Sequence, residues 1–271
     1  MLPGPPFKYL SITSAQNNKI KQLIRLKNRR KRDKTALFLI EGYREIKRAF
    51  EKGLPLVALF FCSDFFLGNH EFFLIDSIGT ENFHLPSSLF QKISYRDRPD
   101  GLIAVGKQMQ TTLNDWVFHD SSIYVVAESI EKPGNLGTIL RSCDAAGVNG
   151  VVICDRRTDI YNPNVVRASV GTLFTVPVVE AQGIEAYQWF KERNISLIAT
   201  SPSASLKYTE ASLKGPLALL FGTEQLGLSE FWIKRANLHV KIPMLGAADS
   251  LNVAMATTLI LYEILRQKNL S

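Results

Sequence analysis

The 271 residues, 46% hydrophobic and 21% charged without low-complexity tracts, suffice for two folded domains; no run reaches the roughly 18 uninterrupted apolar residues of a membrane span. The opening MLPGPPFKYL sets prolines where a leader needs an apolar run, so the expectation is a cytoplasmic protein, and three widely spaced cysteines (Cys62, Cys143, Cys154) without a CxxC pair exclude a disulfide framework or zinc site and point to buried thiols. The net charge of +7 is local: ten Lys or Arg lie in residues 1–34 against the single acid Asp33, so the remaining chain is close to neutral.

That basic stretch, ITSAQNNKIKQLIRLKNRRKRDK, reads as a helix capped by Thr13 or Ser14, with Ile20, Leu23, Ile24 and Leu26 as its apolar stripe. Its cations Lys19, Lys21, Arg25, Lys27, Arg29, Arg30, Lys31 and Arg32 form a concentrated patch of the kind that binds polyanions, and the density of KNRRKRDK favours nucleic acid over a merely solvated face. ALFLIEG follows as a buried strand and GYREIKRAFEKG as a helix ended by Gly53. LPLVALFFC and EFFLI read as strands, LPSSLFQKI as a helix opened by Pro86, and GLIAVGK as a last strand after the Pro99-Asp100-Gly101 turn. Residues 1–109 therefore make one α/β domain, 110–120 a polar linker, and 121–271 a second domain.

From Ser122 strands and helices alternate. IYVVAES, GVVICD, LFTVPVV, ISLIAT, PLALLFGTE and LHVKIP read as strands; NLGTILRSCDAAG, NPNVVRASVG and IEAYQWFKERN read as helices, with amphipathic LSEFWIKRAN between the last two strands. The fold class is α/β: a mostly parallel sheet covered by helices on both faces, with ligands expected beyond the carboxyl ends of its strands. KIPMLGAADSLNVAMATTLILYEILRQ closes the chain as a strand, a Gly/Ala/Asp/Ser turn and a long helix capped by Ser250 or Asp249. Turn-like punctuation after four strand ends (AES, ATSPS, FGTEQLG, IPMLG) would line one crevice with backbone groups. Neither GxGxxG nor GxxxxGK[ST] occurs, and His70, His84, His119 and His239 lack any motif context, so neither a dinucleotide fingerprint nor a nucleophilic triad is available.

Asn135 and Arg141 in NLGTILRSCDAAG, Gly222 and Glu224 in LLFGTEQLGLS, and IPM with SLNVAMA near the terminus resemble, in order, the three motifs of the SpoU RNA ribose methyltransferases of the SPOUT superfamily. The likeness runs from about Ile123 to Gln267; more loosely, ITSAQNNKIKQL, FLIEGYREIKRA and GLIAV are similar to the substrate-binding domain often joined to that core, itself similar to certain ribosomal RNA-binding proteins. The resemblance implies methyl transfer from S-adenosyl-L-methionine to a ribose 2′-oxygen, a deep C-terminal trefoil knot, and a homodimer with the knot and C-terminal helix near its interface. It implies Thr200, Gly222, Ile242, Met244 and Leu251 as cofactor neighbours, and Arg141, Asn135, Glu224, Ser250 and Asn252 as the catalytic set, with no metal. Arg141 is implied to activate the hydroxyl; because a guanidinium stays protonated unless close cations lower its pKa, an electrostatic role, holding a phosphate and favouring the developing alkoxide, is preferred to that of a general base, and the alternative is a structural salt bridge. Arg167 either contacts RNA or is an ordinary helix charge. Lys132-Pro133 is of the kind found in members acting on transfer RNA, whereas the basic N-terminal domain is typical of ribosomal RNA enzymes, and the whole domain outweighs the pair. The expected substrate is large-subunit (23S) ribosomal RNA; the alternatives are a transfer RNA 2′-O-methyltransferase or a non-catalytic RNA-binding ribosome-assembly factor.

Overall fold

The computed structural model describes residues 7–268, so MLPGPP, the start of the segment read as unlike a leader, lies outside the described residues. The chain divides into two compact units, Met1–Met109 with Ile160–Thr175, and Gln110–Asp159 with Val176–Ser271.

In the first unit β1 (Leu10–Ser11) precedes α1 (Asn18–Arg25), which starts at Asn17 and not at Thr13 or Ser14, because the Asn17 side chain accepts from the Lys19 amide at 2.8 Å. Asn28 repeats the device for α2 (Arg29–Thr35), accepting from the Arg30 amide at 2.9 Å, so the basic stretch is two helices and not one. Ile20, Leu23 and Leu26 are buried as the stripe requires, whereas Ile24 is exposed. The elements β2 (Leu37–Glu41), α3 (Tyr43–Glu51) and β3 (Leu56–Phe61) follow the sequence pattern.

EFFLI departs from it, forming the first turns of α4 (Glu71–Ile78). The Glu71 carboxylate accepts from the Leu67 and Gly68 amides at 3.2 and 2.8 Å, and Gly79, at φ +65°, ends the helix in the left-handed conformation. These end signals override the β preference of the apolar run, and the strand role passes to β4 (Glu81–His84). With α5 (Ser87–Ile93) and β5 (Leu102–Lys107), the described strands of this unit form a mixed sheet in the order β1-β4-β3-β5-β2. Its apolar face packs on Ile20, Leu23, Leu89 and Phe90.

The second unit begins earlier than the expected linker allows: Leu113, Trp116 and Phe118 pack into its core, with Trp116 stacked on Tyr124 at 5.3 Å between ring centres. It contains β6 (Ile123–Glu128), α6 (Pro133–Ala145) and β7 (Gly150–Cys154). The next helix, α7 (Pro163–Ser169), groups with the first unit, where Tyr161 lies 4.5 Å from Phe38, ring to ring. The expected strand LFTVPVV straddles this return: Thr172–Phe174 is a 3₁₀ turn of the first unit, and only after Pro177 does β8 (Val178–Ala181) pair with β7.

The chain continues through α8 (Gly183–Glu192), β9 (Ser196–Thr200), a two-residue β10 (Leu206–Lys207) not foreseen from sequence, β11 (Leu217–Phe221), α9 (Glu230–Ile233), β12 (Leu238–Lys241) and α10 (Val253–Lys268). Among the described residues the strands form one fully parallel seven-stranded sheet, ordered β10-β12-β9-β11-β6-β7-β8. Its central strands are apolar save for Glu128 at the end of β6, as burial on both faces demands. α10 packs against α6, with Ser142 Oγ and Thr258 Oγ1 2.6 Å apart. Burial pushes the Cys143 and Cys154 thiols well above their usual range, so both are inert core groups. Among the described residues, no helix is long and apolar enough to cross a membrane and no His, Cys, Asp and Glu cluster could hold a metal ion.

Candidate active site

Adjacent strands β12, β9 and β11 end at Lys241, Thr200 and Phe221, and the loops leaving their carboxyl ends enclose a cavity of about 740 Å³. Thr200, Gly222, Ile242, Met244 and Leu251, the five expected cofactor neighbours, all line it. The Thr200 hydroxyl donates to the Leu220 carbonyl at 2.8 Å, fixing β9 to β11 at the cavity wall. Beyond β11 the chain folds back on itself: Thr223 and Gly227 exchange two backbone hydrogen bonds of 3.0 Å. The return passes so close that a Cβ on Gly222 would sit 2.1 Å from the Gly227 carbonyl oxygen and 2.3 Å from the Leu228 nitrogen. Only glycine fits there. The far end of the loop is tied by Glu128, a buried carboxylate at the end of β6 that accepts from the Ser229 amide at 2.8 Å.

The expected polar residues form a connected chain beside this loop. The Glu224 carboxylate accepts from the Asn135 amide and from the Lys132 ammonium, and the Asn252 amide donates to Asn135 Oδ1 at 3.1 Å. Asn252 Oδ1 in turn accepts from the Ala254 amide at 3.0 Å, so Asn252 caps α10, and not Ser250 or Asp249. One side chain thus starts the helix and holds the catalytic candidate on α6. Asn252→Ala is expected to cost about 1 kcal/mol of stability through the lost cap. Asn135→Ala leaves the cap intact and should stay within about 0.5 kcal/mol of the parent in thermal denaturation. Glu224, Ser250 and Asn252 also line the cavity.

Arg141 is not brought into this chain. It follows Asn135 by six residues on α6, which turns it about 120° around the helix axis. Its side chain is exposed and makes no hydrogen bond or ion pair among the described residues. Lys132, read from sequence only as a departure from a motif, and Glu128, not singled out at all, both support the site. Lys132 stands directly before Pro133 at the start of α6, a position that could have flagged it.

The basic stretch separates into two kinds of cation. Arg32 is buried, donating to the Leu26 and Lys27 carbonyls at 2.8 and 2.9 Å, and so is a structural tie between α1 and α2 and not an RNA contact. Lys27 is half-buried over the Tyr95 ring at 4.7 Å, and burial lowers its pKa. Lys19 pairs with Glu81 at 2.6 Å and Arg29 with Asp33 at 3.7 Å. Lys21, Arg25, Arg30 and Lys31 are exposed, their side chains unpaired among the described residues. Arg32→Ala is expected to lower stability by about 2–3 kcal/mol, because two buried carbonyls lose their donor. Replacing Lys21, Arg25, Arg30 and Lys31 together with Ala should leave thermal stability unchanged, weaken RNA binding and flatten its salt dependence by roughly 0.7–0.9 per lost phosphate contact.

Residues 122–262 match the model of the SpoU rRNA Methylase family, and residues 17–104 that of the MRM3-like substrate binding domain. The chain is 32% identical over 250 residues to the 23S rRNA (uridine(2479)-2′-O)-methyltransferase of Streptomyces viridochromogenes, covering 90% of this chain and 87% of that protein. It is 27% identical to the 23S rRNA (guanosine(2553)-2′-O)-methyltransferase RlmP of Bacillus subtilis (strain 168), over 93% of this chain and 98% of that one. The crystal structure of the SpoU methyltransferase AviRb from Streptomyces viridochromogenes in complex with the cofactor AdoMet superposes with a TM-score of 0.85 at 31% identity, covering 94% of this chain and all of that one. With the family model covering more than half its length, two of the three ordered motifs lining one cavity at the edge of a parallel sheet, and Asn135 of the first motif hydrogen-bonded to both, the chain belongs to the SpoU rRNA methylase family.

Proposed function

We propose that this protein transfers a methyl group from S-adenosyl-L-methionine to a ribose 2′-hydroxyl of large-subunit (23S) ribosomal RNA. The observation that carries the reading is the cavity beyond β9, β11 and β12, where backbone-rich Gly222 and apolar Ile242, Met244 and Leu251 face the polar group of Glu224, Ser250 and Asn252. Such a lining suits a cofactor with an apolar adenine face and many hydrogen-bonding edges, and S-adenosyl-L-methionine when bound supplies a methyl on an electrophilic sulfonium. Thr200, Gly222, Ile242, Met244 and Leu251 hold it. Asn135, Glu224 and Asn252, linked by hydrogen bonds, keep the motif loops in register, and Ser250, on the cavity wall, bonds the substrate. Arg141, its guanidinium unpaired among the described residues, holds the phosphate beside the target ribose and stabilises the oxygen as it gains charge; a permanently protonated group does not act as a general base.

RNA recruitment falls to residues 1–109, with Lys21, Arg25, Arg30 and Lys31 as the phosphate-binding cations and Arg167 as a further contact. The chemistry falls to the second unit, Gln110–Asp159 with Val176–Ser271. The trefoil knot is supported by the parallel sheet and by the return of α10 onto α6. A homodimer is supported by an exposed apolar stripe on α10, Met255, Leu259 and Tyr262, at the spacing that presents one helix face. The protein works in the cytoplasm, where its RNA is found. The test is transfer of labelled methyl to unmodified ribosomal and transfer RNA offered separately. Label in the ribosomal RNA supports the reading; label confined to transfer RNA keeps the chemistry and overturns the substrate.

A further inference from the structure

The first unit contains a cavity of its own, about 860 Å³, into which none of the cofactor or motif residues reaches. Tyr43 and Arg44 at the start of α3, Arg96, Asp97 and Arg98 after α5, and Arg167 on α7 contribute to its wall. Arg167 comes from the segment that returns to this unit, so the wall is completed by residues far apart in sequence. Arg96 is already committed: it pairs with Glu45 at 2.6 Å and Asp100 at 3.4 Å and donates to the Glu41 carbonyl at 2.8 Å. Its charge is offset and its place fixed. Arg44, Arg98 and Arg167 are different, being exposed and unpaired through their side chains among the described residues; Asp97 is likewise exposed and unpaired.

Three guanidiniums with no ion-pair partner among the described residues thus surround one concavity, whose remaining carboxylate, Glu71, is buried and held by the Leu67 and Gly68 amides, and their planar forks match phosphate oxygens. Asp97 sets the class of ligand more narrowly. An acidic peptide offers only negative groups and would be repelled there, whereas a nucleotide pairs its phosphates with the arginines and presents amino groups of its base to a carboxylate. Tyr43 supplies an aromatic wall for such a base, and the volume exceeds what an isolated phosphate needs. We propose that this cavity seats one unpaired nucleotide of the RNA substrate, with Arg44, Arg98 and Arg167 on the flanking phosphates and Asp97 on the base. The inference rests on the RNA reading above and adds to it a place where sequence is read apart from the reacting ribose.

The test uses the full-length protein and an unmodified 23S ribosomal RNA transcript in filter binding across a salt series. Replacing Arg44, Arg98 and Arg167 together with Ala should weaken binding about tenfold or more and make the salt slope shallower by roughly 2, with S-adenosyl-L-methionine affinity and thermal stability unchanged. Asp97→Asn should keep the salt slope and alter competition among short oligonucleotides differing in one unpaired base. Unchanged affinity and slope in the triple variant would overturn the proposal, as would competition by polyglutamate equal to that by RNA. The variant lacking Lys21, Arg25, Arg30 and Lys31 separates the two readings. If it loses RNA while the arginine variant does not, only this cavity is misassigned; if the parent protein binds no RNA at all, the RNA reading itself fails.

Discussion

Gly222→Ala is expected to abolish saturable binding of S-adenosyl-L-methionine and to lower stability by about 3 kcal/mol, read by calorimetric titration and thermal denaturation. The added methyl would lie 2.1 Å from the Gly227 carbonyl oxygen and 2.3 Å from the Leu228 nitrogen, and both are backbone atoms that no rotamer change can move. The loop must open, breaking the paired 3.0 Å hydrogen bonds between Thr223 and Gly227 and withdrawing one wall of the cavity. Two net hydrogen bonds at about 1 kcal/mol each, plus overpacking strain of at least about 1 kcal/mol, set the magnitude. Gly227→Ala is the control. Gly227 sits at φ +69° with open space where its Cβ would go, so the cost there is conformational, about 1 kcal/mol, and some cofactor binding should survive. Undiminished cofactor affinity in Gly222→Ala would remove the 222–228 loop from the cofactor site.

Arg141→Ala is expected to lower kcat for methyl transfer by about 100- to 1000-fold while cofactor affinity and thermal midpoint stay at the parent values. The split follows from position: the guanidinium is exposed, pairs with nothing among the described residues and does not line the cavity, so neither fold nor cofactor site depends on it. Its loss is felt only when RNA brings a phosphate and a ribose oxygen that gains charge during transfer. Arg141→Lys should recover part of the rate, since a point charge replaces the charge and not the two-pronged geometry. A fall in thermal midpoint, or loss of cofactor binding, would make Arg141 a structural residue.

The site was largely legible because its signal is local. Two of the three short motifs follow directly after β11 and β12 and carry Gly222, Ile242, Met244 and Leu251, and Thr200 ends the neighbouring β9, so a parallel sheet brings all five together at its carboxyl edge. What sequence left hidden depends on groups distant along the chain or on competition between local signals. EFFLI has the composition of a strand, but Glu71 closing on the Leu67 and Gly68 amides and Gly79 at the other end make it a helix. Arg32 is indistinguishable in sequence from its cationic neighbours, and only the Leu26 and Lys27 carbonyls identify it as a buried tie. Asn252 was expected in the catalytic group but its capping of α10 was assigned to its neighbours, since Ser250, Asp249 and Asn252 are all good caps by type. The return of Ile160–Thr175 to the first unit rests on contacts such as Phe38 with Tyr161, which no local pattern encodes.

The most direct measurement is mass spectrometry of nucleosides released from unmodified 23S ribosomal RNA after incubation with the protein and S-adenosyl-L-methionine. The account predicts one new 2′-O-methylated nucleoside, formed about 100- to 1000-fold more slowly with Arg141→Ala and absent without cofactor. A methyl group on a base, or no methylated nucleoside from any ribosomal RNA form although the cofactor binds, would contradict it.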